Sequence, residues 1–349
     1  MKHFLLLLFF SGQIIISLYG QSSCPLKYQL NPFDFFEETK ELRKENQYDQ
    51  IISLVEQKME DTPEIWHYYQ LACMFALKGD TLRPFEYIYK YIDLQEFART
   101  ILSDSDLETL YHTQQWKLLK DTIIDTYLAK YPDITHKDLS VQLWLMGIDD
   151  QRFRTLSINN KKGYLNLSRP SDSIIKQKER ERKDREQFVM DLINNKTFPT
   201  FAMVGKEASE AAVLIIQHSA QNKLFKKTLP LIETAAKQQQ VNSSHYAIMI
   251  DRYLTRKGKK QIYGTSYSRR RDPIYDVYSD FFLHPIEDEK NVNVRRQELG
   301  MKTIEEAAAG MGISYQYNPE NDKLSFKKII KRNYEKAQRQ LEERGKKEE

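Results

Sequence analysis

The apolar residues in the first third of the chain recur at the spacing of an α-helix, and this pattern constrains the fold more than any other feature. Between residues 33 and 130 they follow one another three or four positions apart, with almost no strand-like alternation. In the clearest unit an apolar stripe ends at Gly79-Asp80, a turn signal, and a second stripe then passes through Phe85 and Tyr89. The pattern predicts helix pairs and no strand in this region.

A register of 34 residues links three of these apolar stripes. It aligns Ile51 with Phe85 and Leu119, and Val55 with Tyr89 and Ile123. This is the period of tetratricopeptide repeats, and the segment "YYQLACMFALKGD" resembles that family because the small Ala72 and Ala76 allow two helices to approach closely. We expect about two and a half such repeats across residues 33–130. They would bind a protein or peptide partner, or pack on the rest of the chain as a structural cap.

The first residues, "MKHFLLLLFFSGQIIISLYGQ", have the pattern of a secretory signal peptide. The apolar run is broken by Ser11-Gly12-Gln13 and is too short for a transmembrane segment. We therefore expect residues 1–20 to be removed and the protein to be exported, to the periplasm or the medium. Lipid anchoring at Cys24 is the weaker alternative, since Gln21 stands where an apolar residue is expected. Cys24 and Cys73 are the only cysteines, too few for a disulfide framework.

The charges of the chain are almost balanced, with 53 Lys and Arg residues against 49 Asp and Glu. Near-neutrality argues against nucleic acid as a partner. The charge run at residues 176–186 mixes both signs, which is typical of a solvated helix face.

The second domain is expected at residues 138–320 and is mostly helical by the same periodicity. Within it Gln261, Tyr263 and Thr265 alternate with Ile262 and Gly264, which predicts a strand that points these three side chains to one face, toward the helix ends that bear His218 and Asp251. Gly264 in the middle of this strand predicts close approach of another backbone segment. The segment "YDVYSDFFLHPI" is its expected partner in a β-hairpin at about 260–286. A charged helical tail follows at 323–349. The predicted fold is mainly α, with tetratricopeptide-like helical repeats followed by an α-rich α+β domain that carries a small hairpin.

Five ordered segments, "DDQRFR", "VGKEASEAAVLIIQHS", "AIMIDRYL", "QIYGTS" and "NVRRQELGM", resemble a bacterial domain of unknown function, family 6624, over about residues 138–310. The resemblance implies a compact, mostly helical domain with a small β element and no established activity. The recurring polar and glycine positions of the family would be Asp150, Gln151, Arg154, Gln217, His218, Asp251, Arg252, Gln261, Tyr263, Gly264, Thr265 and Arg296. Ala220 and Ser266 depart from the family pattern, where an acidic residue and a glutamine are common.

Three of these residues, His218, Asp251 and Arg252, are the candidate catalytic groups, and the other nine are candidate ligand-binding residues. His218 near a helix end suits a general base, or equally a group that stabilises the helix terminus. Asp251 shares an apolar stripe and must be paired or hydrogen-bonded, with Arg295 or Arg296 as candidate partners. The sequence contains no metal-ligand spacing, cofactor motif or familiar nucleophile motif, so we expect neither a metal nor a cofactor.

Two basic clusters, residues 256–260 and 269–271, flank Tyr263 and Tyr267 and make the hairpin a candidate site for an anionic ligand. The favoured hypothesis is an exported, non-enzymatic binding or scaffold protein. The alternative is an enzyme of unknown reaction, with a polar pocket around His218, Asp251 and the 261–265 strand. An open pocket of these side chains would favour the enzyme, and a closed buried network would favour the scaffold.

Overall fold

The computed structural model describes residues 6–10, 13–17, 35, 38–61, 64–93, 99–161, 172–219, 221–270 and 278–345. The fold is mainly α with small β elements, as the sequence predicts. The chain divides into an amino-terminal unit, residues 21–187 and 202–215, and a carboxy-terminal unit, residues 1–20, 188–201 and 216–349. None of the helices in the described ranges combines the length and the apolar character needed to cross a bilayer.

The amino-terminal unit begins as an array of helices. They are α1 (Lys40–Lys44), α2 (Tyr48–Asp61), α3 (Ile65–Leu77) and α4 (Arg83–Asp93), two 3₁₀ helices (Arg99–Ser103 and Ser105–Leu110), and α5 (Gln114–Ala129). The described residues between 38 and 130 contain no strand, in agreement with the prediction. Helix α3 is the centre of this array, because its residues are buried almost without interruption and it packs on both α2 and α4.

The aligned positions of the 34-residue register are buried with one exception. Ile51, Phe85 and Leu119 are all buried, and so are Val55 and Ile123, whereas Tyr89 is exposed. Between α4 and α5 the chain forms the two 3₁₀ helices, where a regular array would have an α-helix. The register therefore identifies core positions correctly at five of six sites.

The remaining helices of this part of the chain are α6 (Lys137–Lys161), α7 (Asp172–Asn194), the short α8 (Phe201–Val204) and α9 (Lys206–His218). Helices α6 and α9 pack closely, because a Cβ atom on Gly147 would lie 2.5 Å from the Cβ of Ala211. The buried Tyr127 stacks on Trp144 at 4.2 Å between ring centroids, and its hydroxyl donates to the carbonyl oxygen of Val204 at 3.2 Å.

The carboxy-terminal unit contains α10 (Asn222–Lys237), α11 (Ser243–Arg256), α12 (Val292–Glu298), α13 (Ile304–Ala309), α14 (Glu320–Lys323) and α15 (Phe326–Gly345). Two short strands lie in the predicted hairpin region, β3 (Tyr267–Ser268) and β4 (Phe282–Leu283), paired antiparallel. Near the amino terminus, β1 (Leu6–Phe10) pairs antiparallel with β2 (Gln13–Ser17). Residues 271–277, between β3 and β4 in the sequence, lie outside the described residues.

The predicted helical tail forms α15, which packs against the hairpin. The Tyr334 ring lies 5.3 Å from that of Phe282, and the Phe326 ring lies 6.2 Å from that of His284. Asn333 donates to the main-chain oxygen of Leu283 at 3.4 Å. The tail is therefore part of the carboxy-terminal core, despite its high charge.

His284 should make the stability of the protein depend on pH. Its Nε2 lies 2.8 Å from Ser268 Oγ, its Nδ1 is buried without a hydrogen-bond partner among the described residues, and burial lowers the pKa of its imidazole to about 4. The unfolded chain binds a proton near pH 6.5, so stability is lost as pH falls from there towards the folded pKa. The full loss is about 3 kcal/mol.

This dependence is measurable as the difference in unfolding free energy between the native protein and His284→Phe across that pH range. The phenylalanine variant should lose the dependence, and the exposed His112→Gln should keep it. Identical pH profiles for the native protein and His284→Phe would contradict the assignment.

Candidate functional site

The carboxylate of Asp251 holds a loop of residues 261–266, which we call the clamped loop. Asp251 lies in α11 and is completely buried. Its Oδ1 accepts from the main-chain N–H groups of Ile262 at 2.7 Å and Tyr263 at 3.0 Å. Its Oδ2 accepts from the N–H of Thr265 at 2.9 Å and from the Thr265 hydroxyl at 2.8 Å. One side chain thus satisfies the donors of three loop residues, and none of its hydrogen bonds involves His218.

The expectation that Asp251 forms an ion pair with Arg295 or Arg296 is wrong, because both arginines donate to main-chain oxygens of the clamped loop instead. Arg296, which is buried, donates from Nη1 to the oxygen of Tyr263 at 2.5 Å and from Nε to that of Lys302 at 2.6 Å. Arg295 donates from Nε to the oxygen of Ile262 at 3.1 Å. Asp251 therefore accepts from the N–H groups of Ile262, Tyr263 and Thr265, and the two arginines donate to the carbonyl oxygens of Ile262 and Tyr263.

Gln261 closes the clamped loop on itself. Its buried side-chain amide accepts from the N–H of Ser266 at 2.7 Å, and donates to the oxygens of Ser266 at 3.0 Å and His284 at 2.8 Å. Its main-chain N–H donates to the oxygen of Pro285 at 2.8 Å. Since Gln261 contacts only main-chain atoms of Ser266, the departure from the family pattern at this position removes none of these bonds.

Residues 261–265 are not a strand, which corrects the sequence prediction. Gln261 forms an isolated parallel bridge with Ile286, and the chain then bends through residues 262–264. Gly264 has a φ of +71°, outside the strand region, so the alternation of side chains is interrupted. The expectation that Gln261, Tyr263 and Thr265 share one face fails for this reason. Gln261 turns towards the hairpin, whereas Thr265 turns towards α11.

The other candidate residues are distributed along three helices. Gln217 is buried and His218 is half-buried at the end of α9, while Arg252 is half-buried on α11. Asp150 on α6 is buried and accepts from Gln151 at 2.9 Å. The side chain of Arg154 lies outside the described residues, as does Ala220. The residues that the structure brings together are those of the clamp, namely Asp251, Gln261, Thr265 and Arg296 around Tyr263 and Gly264.

The electrostatics of the clamp suit a structural group. Burial raises the pKa of the Asp251 carboxyl, and the hydrogen bonds from Tyr263 and Thr265 act in the opposite direction. Four distinct donors converge on its two oxygens, which fills the acceptor capacity of a carboxylate. A general acid or base must reach a substrate proton, and this carboxylate has neither exposure nor a vacant acceptor position.

Most of the predicted basic cluster is used within the chain. Arg256 donates to the oxygen of Ser219 at 3.0 Å, and Lys260 donates to that of Asn321 at 2.8 Å. The guanidinium of Arg269 lies 3.8 Å from the ring centroid of Tyr278, and that of Arg270 lies 5.6 Å from Tyr334. Lys257 and Lys259 are exposed. Arg271 lies outside the described residues.

A second polar cluster, in the amino-terminal unit, was not predicted. Single ligand atoms of Cys73, Asp104 and Asp106 lie within 4.8 Å of one another. Burial, and then the neighbouring Asp106, raise the pKa of Asp104 to about 6. Arg43 Nη1 lies 3.0 Å from Asp106, so a guanidinium already supplies the positive charge that a metal ion would bring. Burial also raises the pKa of the Cys73 thiol, which disfavours the thiolate that a metal requires.

The fold and the clamp define a mainly α protein whose carboxy-terminal unit is organised around a buried carboxylate. Residues 137–317 match the model described as "Family of unknown function (DUF6624)", and the chain belongs to this family. The resemblance found in the sequence is thereby confirmed. No curated protein and no solved structure matches the chain.

Proposed function

We propose that this protein is a non-enzymatic binding or scaffold protein that acts after export from the cytoplasm. The observation that carries the proposal is the closed network of the clamp. The recurring polar residues Asp251, Gln261 and Arg296 are buried and bonded to main-chain atoms of their own unit. The hydrogen-bonding groups of these side chains are used to hold the clamped loop. A structural role therefore accounts for these residues without a substrate.

The helical array supplies the second part of the proposal, a surface for a protein or peptide partner. The buried register positions and the packed helices α3 and α4 support a tetratricopeptide-like arrangement. Helix α5 continues the array after the two 3₁₀ helices. Arrays of this type bind extended or helical peptides through a face that the helix pairs leave open.

Export is supported by the sequence of the first twenty residues, where Lys2 and His3 precede a broken apolar run. The proposal places the protein in the periplasm or the medium.

The clamp is tested by Asp251→Asn. One acceptor oxygen becomes an NH₂ group, which then faces main-chain N–H donors at 3 Å or less. The variant should lose about 2–4 kcal/mol of unfolding free energy, because buried donors are left without acceptors. Urea denaturation followed by circular dichroism measures the loss.

Glu298→Gln is the matched control, since it makes the same chemical change at an exposed position of the same unit and should leave stability unchanged. A catalytic carboxylate is commonly held at a cost to stability, so its removal would leave the protein as stable or more stable. If Asp251→Asn behaves in that way, the scaffold proposal fails.

A further inference from the structure

A groove lies beside the clamped loop, in the carboxy-terminal unit. Its volume is about 480 Å³, and its principal lining residues are Leu254, Lys259, Lys260, Ile262, Glu287 and Phe326. Three of these six side chains are apolar, and two of the others are lysines. The size falls within the range of sites that bind small ligands or a few side chains of a peptide.

The walls of this groove are fixed by hydrogen bonds. Ile262 is held through its N–H by Asp251 and through its carbonyl oxygen by Arg295. Lys259 donates its main-chain N–H to the oxygen of Leu254 at 3.0 Å. Lys260 Nζ donates to the oxygen of Asn321, in the segment that leads to Phe326. Such a preformed groove loses little conformational entropy when a ligand binds.

Two of the three charged residues that line the groove are lysines, and three more lysines lie within two positions of lining residues in the sequence. Lys257, Lys259, Lys327 and Lys328 are exposed, and none of them has a salt bridge to a described carboxylate. Lys260 donates to the carbonyl oxygens of Asn321 and Asp322, and the buried carboxylate of Glu289 balances part of its charge. Phe326 is the first residue of α15, so the groove also lies at the positive end of a 20-residue helix. Glu287 is the single acidic lining residue among those described.

We propose that this groove binds an acidic peptide segment that carries apolar side chains. The apolar floor of Leu254, Ile262 and Phe326 would bury a leucine-sized side chain, and the surrounding lysines would pair with the carboxylates beside it. This proposal rests on the proposed binding function and names its ligand. Phe326 lies beyond residue 317, where the family match ends, so this wall of the groove lies outside the matched residues.

The test uses the full-length protein and a fluorescein-labelled peptide of alternating glutamate and leucine, with binding followed by fluorescence anisotropy. Two control peptides replace every glutamate by glutamine or every leucine by serine. The glutamate-leucine peptide should bind saturably. Each control peptide should bind at least about tenfold more weakly, because it lacks one of the two matching chemistries.

Two protein variants locate the site. Lys259→Glu should weaken binding by at least about tenfold, because it reverses a charge at the rim. Lys226→Glu makes the same change at an exposed position of α10 that does not line the groove, and should leave binding unchanged. Equal losses in both variants, equal binding of the three peptides, or no saturable binding would each overturn the groove proposal.

These outcomes are separable from failure of the proposed function. If Asp251→Asn is strongly destabilising and the peptide does not bind, the scaffold role stands and the acidic peptide is the wrong ligand. If Asp251→Asn leaves stability unchanged, the clamp is not structural and the proposed function fails, whatever the peptide does.

Discussion

Gly264→Val is expected to destabilise the protein by about 2–4 kcal/mol. A Cβ atom at this position would lie 2.5 Å from Ile304 Cδ1 and 3.1 Å from Ile286 Cδ1, both within the buried cluster of the unit. The φ of +71° adds strain for a β-branched residue. The clamped loop cannot move aside, because Asp251 holds its N–H groups and the arginines hold its carbonyl oxygens.

Alanine at two glycines separates crowding from backbone strain. Gly258 has a φ of +68°, close to that of Gly264, but a Cβ there would meet nothing within 4 Å. Gly258→Ala should cost about 1 kcal/mol, the usual penalty of the left-handed conformation. Gly264→Ala should cost clearly more. Urea denaturation of both variants measures the two losses, and equal losses would mean that close packing at Gly264 contributes nothing.

The requirement for Gly264 could be predicted from the sequence, but the reason could not. A glycine inside an alternating segment indicated close approach of another group. The same alternation of polar and apolar residues also fits a bent loop held by a distant carboxylate. Arginines were the expected partners of Asp251, because a charged side chain can be identified from the sequence. Main-chain N–H groups are present at almost every position, so a sequence does not indicate which of them bind a buried carboxylate.

The helical array was predictable because burial imposes a helical spacing on apolar residues. Ile51, Phe85 and Leu119 are buried as the register requires. The buried pair of Arg43 and Asp106 was missed, since its members are 63 positions apart and follow no period. Local periodicity records which face of a helix is buried, and it does not record which charged groups meet inside the core.

Arg43→Met is expected to destabilise the amino-terminal unit by about 3–5 kcal/mol near neutral pH, the usual effect of removing one partner of a buried ion pair. Arg43 and Asp106 are both buried, with Nη1 of the arginine 3.0 Å from the carboxylate. Asp104 lies beside them and accepts from the Tyr69 hydroxyl at 2.5 Å. Without the guanidinium, two neighbouring carboxylates would share a buried site that has no countercharge. Thermal or urea denaturation measures the loss.

The cause of this loss is tested by a second substitution and by pH. Arg43→Met combined with Asp106→Leu removes both charges, so the double variant should recover most of the stability, whereas simple loss of packing would make it less stable than either single variant. Loss of the cation raises the pKa of the Asp104 carboxyl in the folded Arg43→Met protein further above its unfolded value, because Arg43 lowers that pKa in the native protein. As pH falls through this raised pKa, which lies above the value of about 6 in the native protein, the folded variant takes up a proton, and its stability difference from the native protein should shrink. A difference that stays constant with pH would mean that the arginine stabilises the unit by packing and not by its charge.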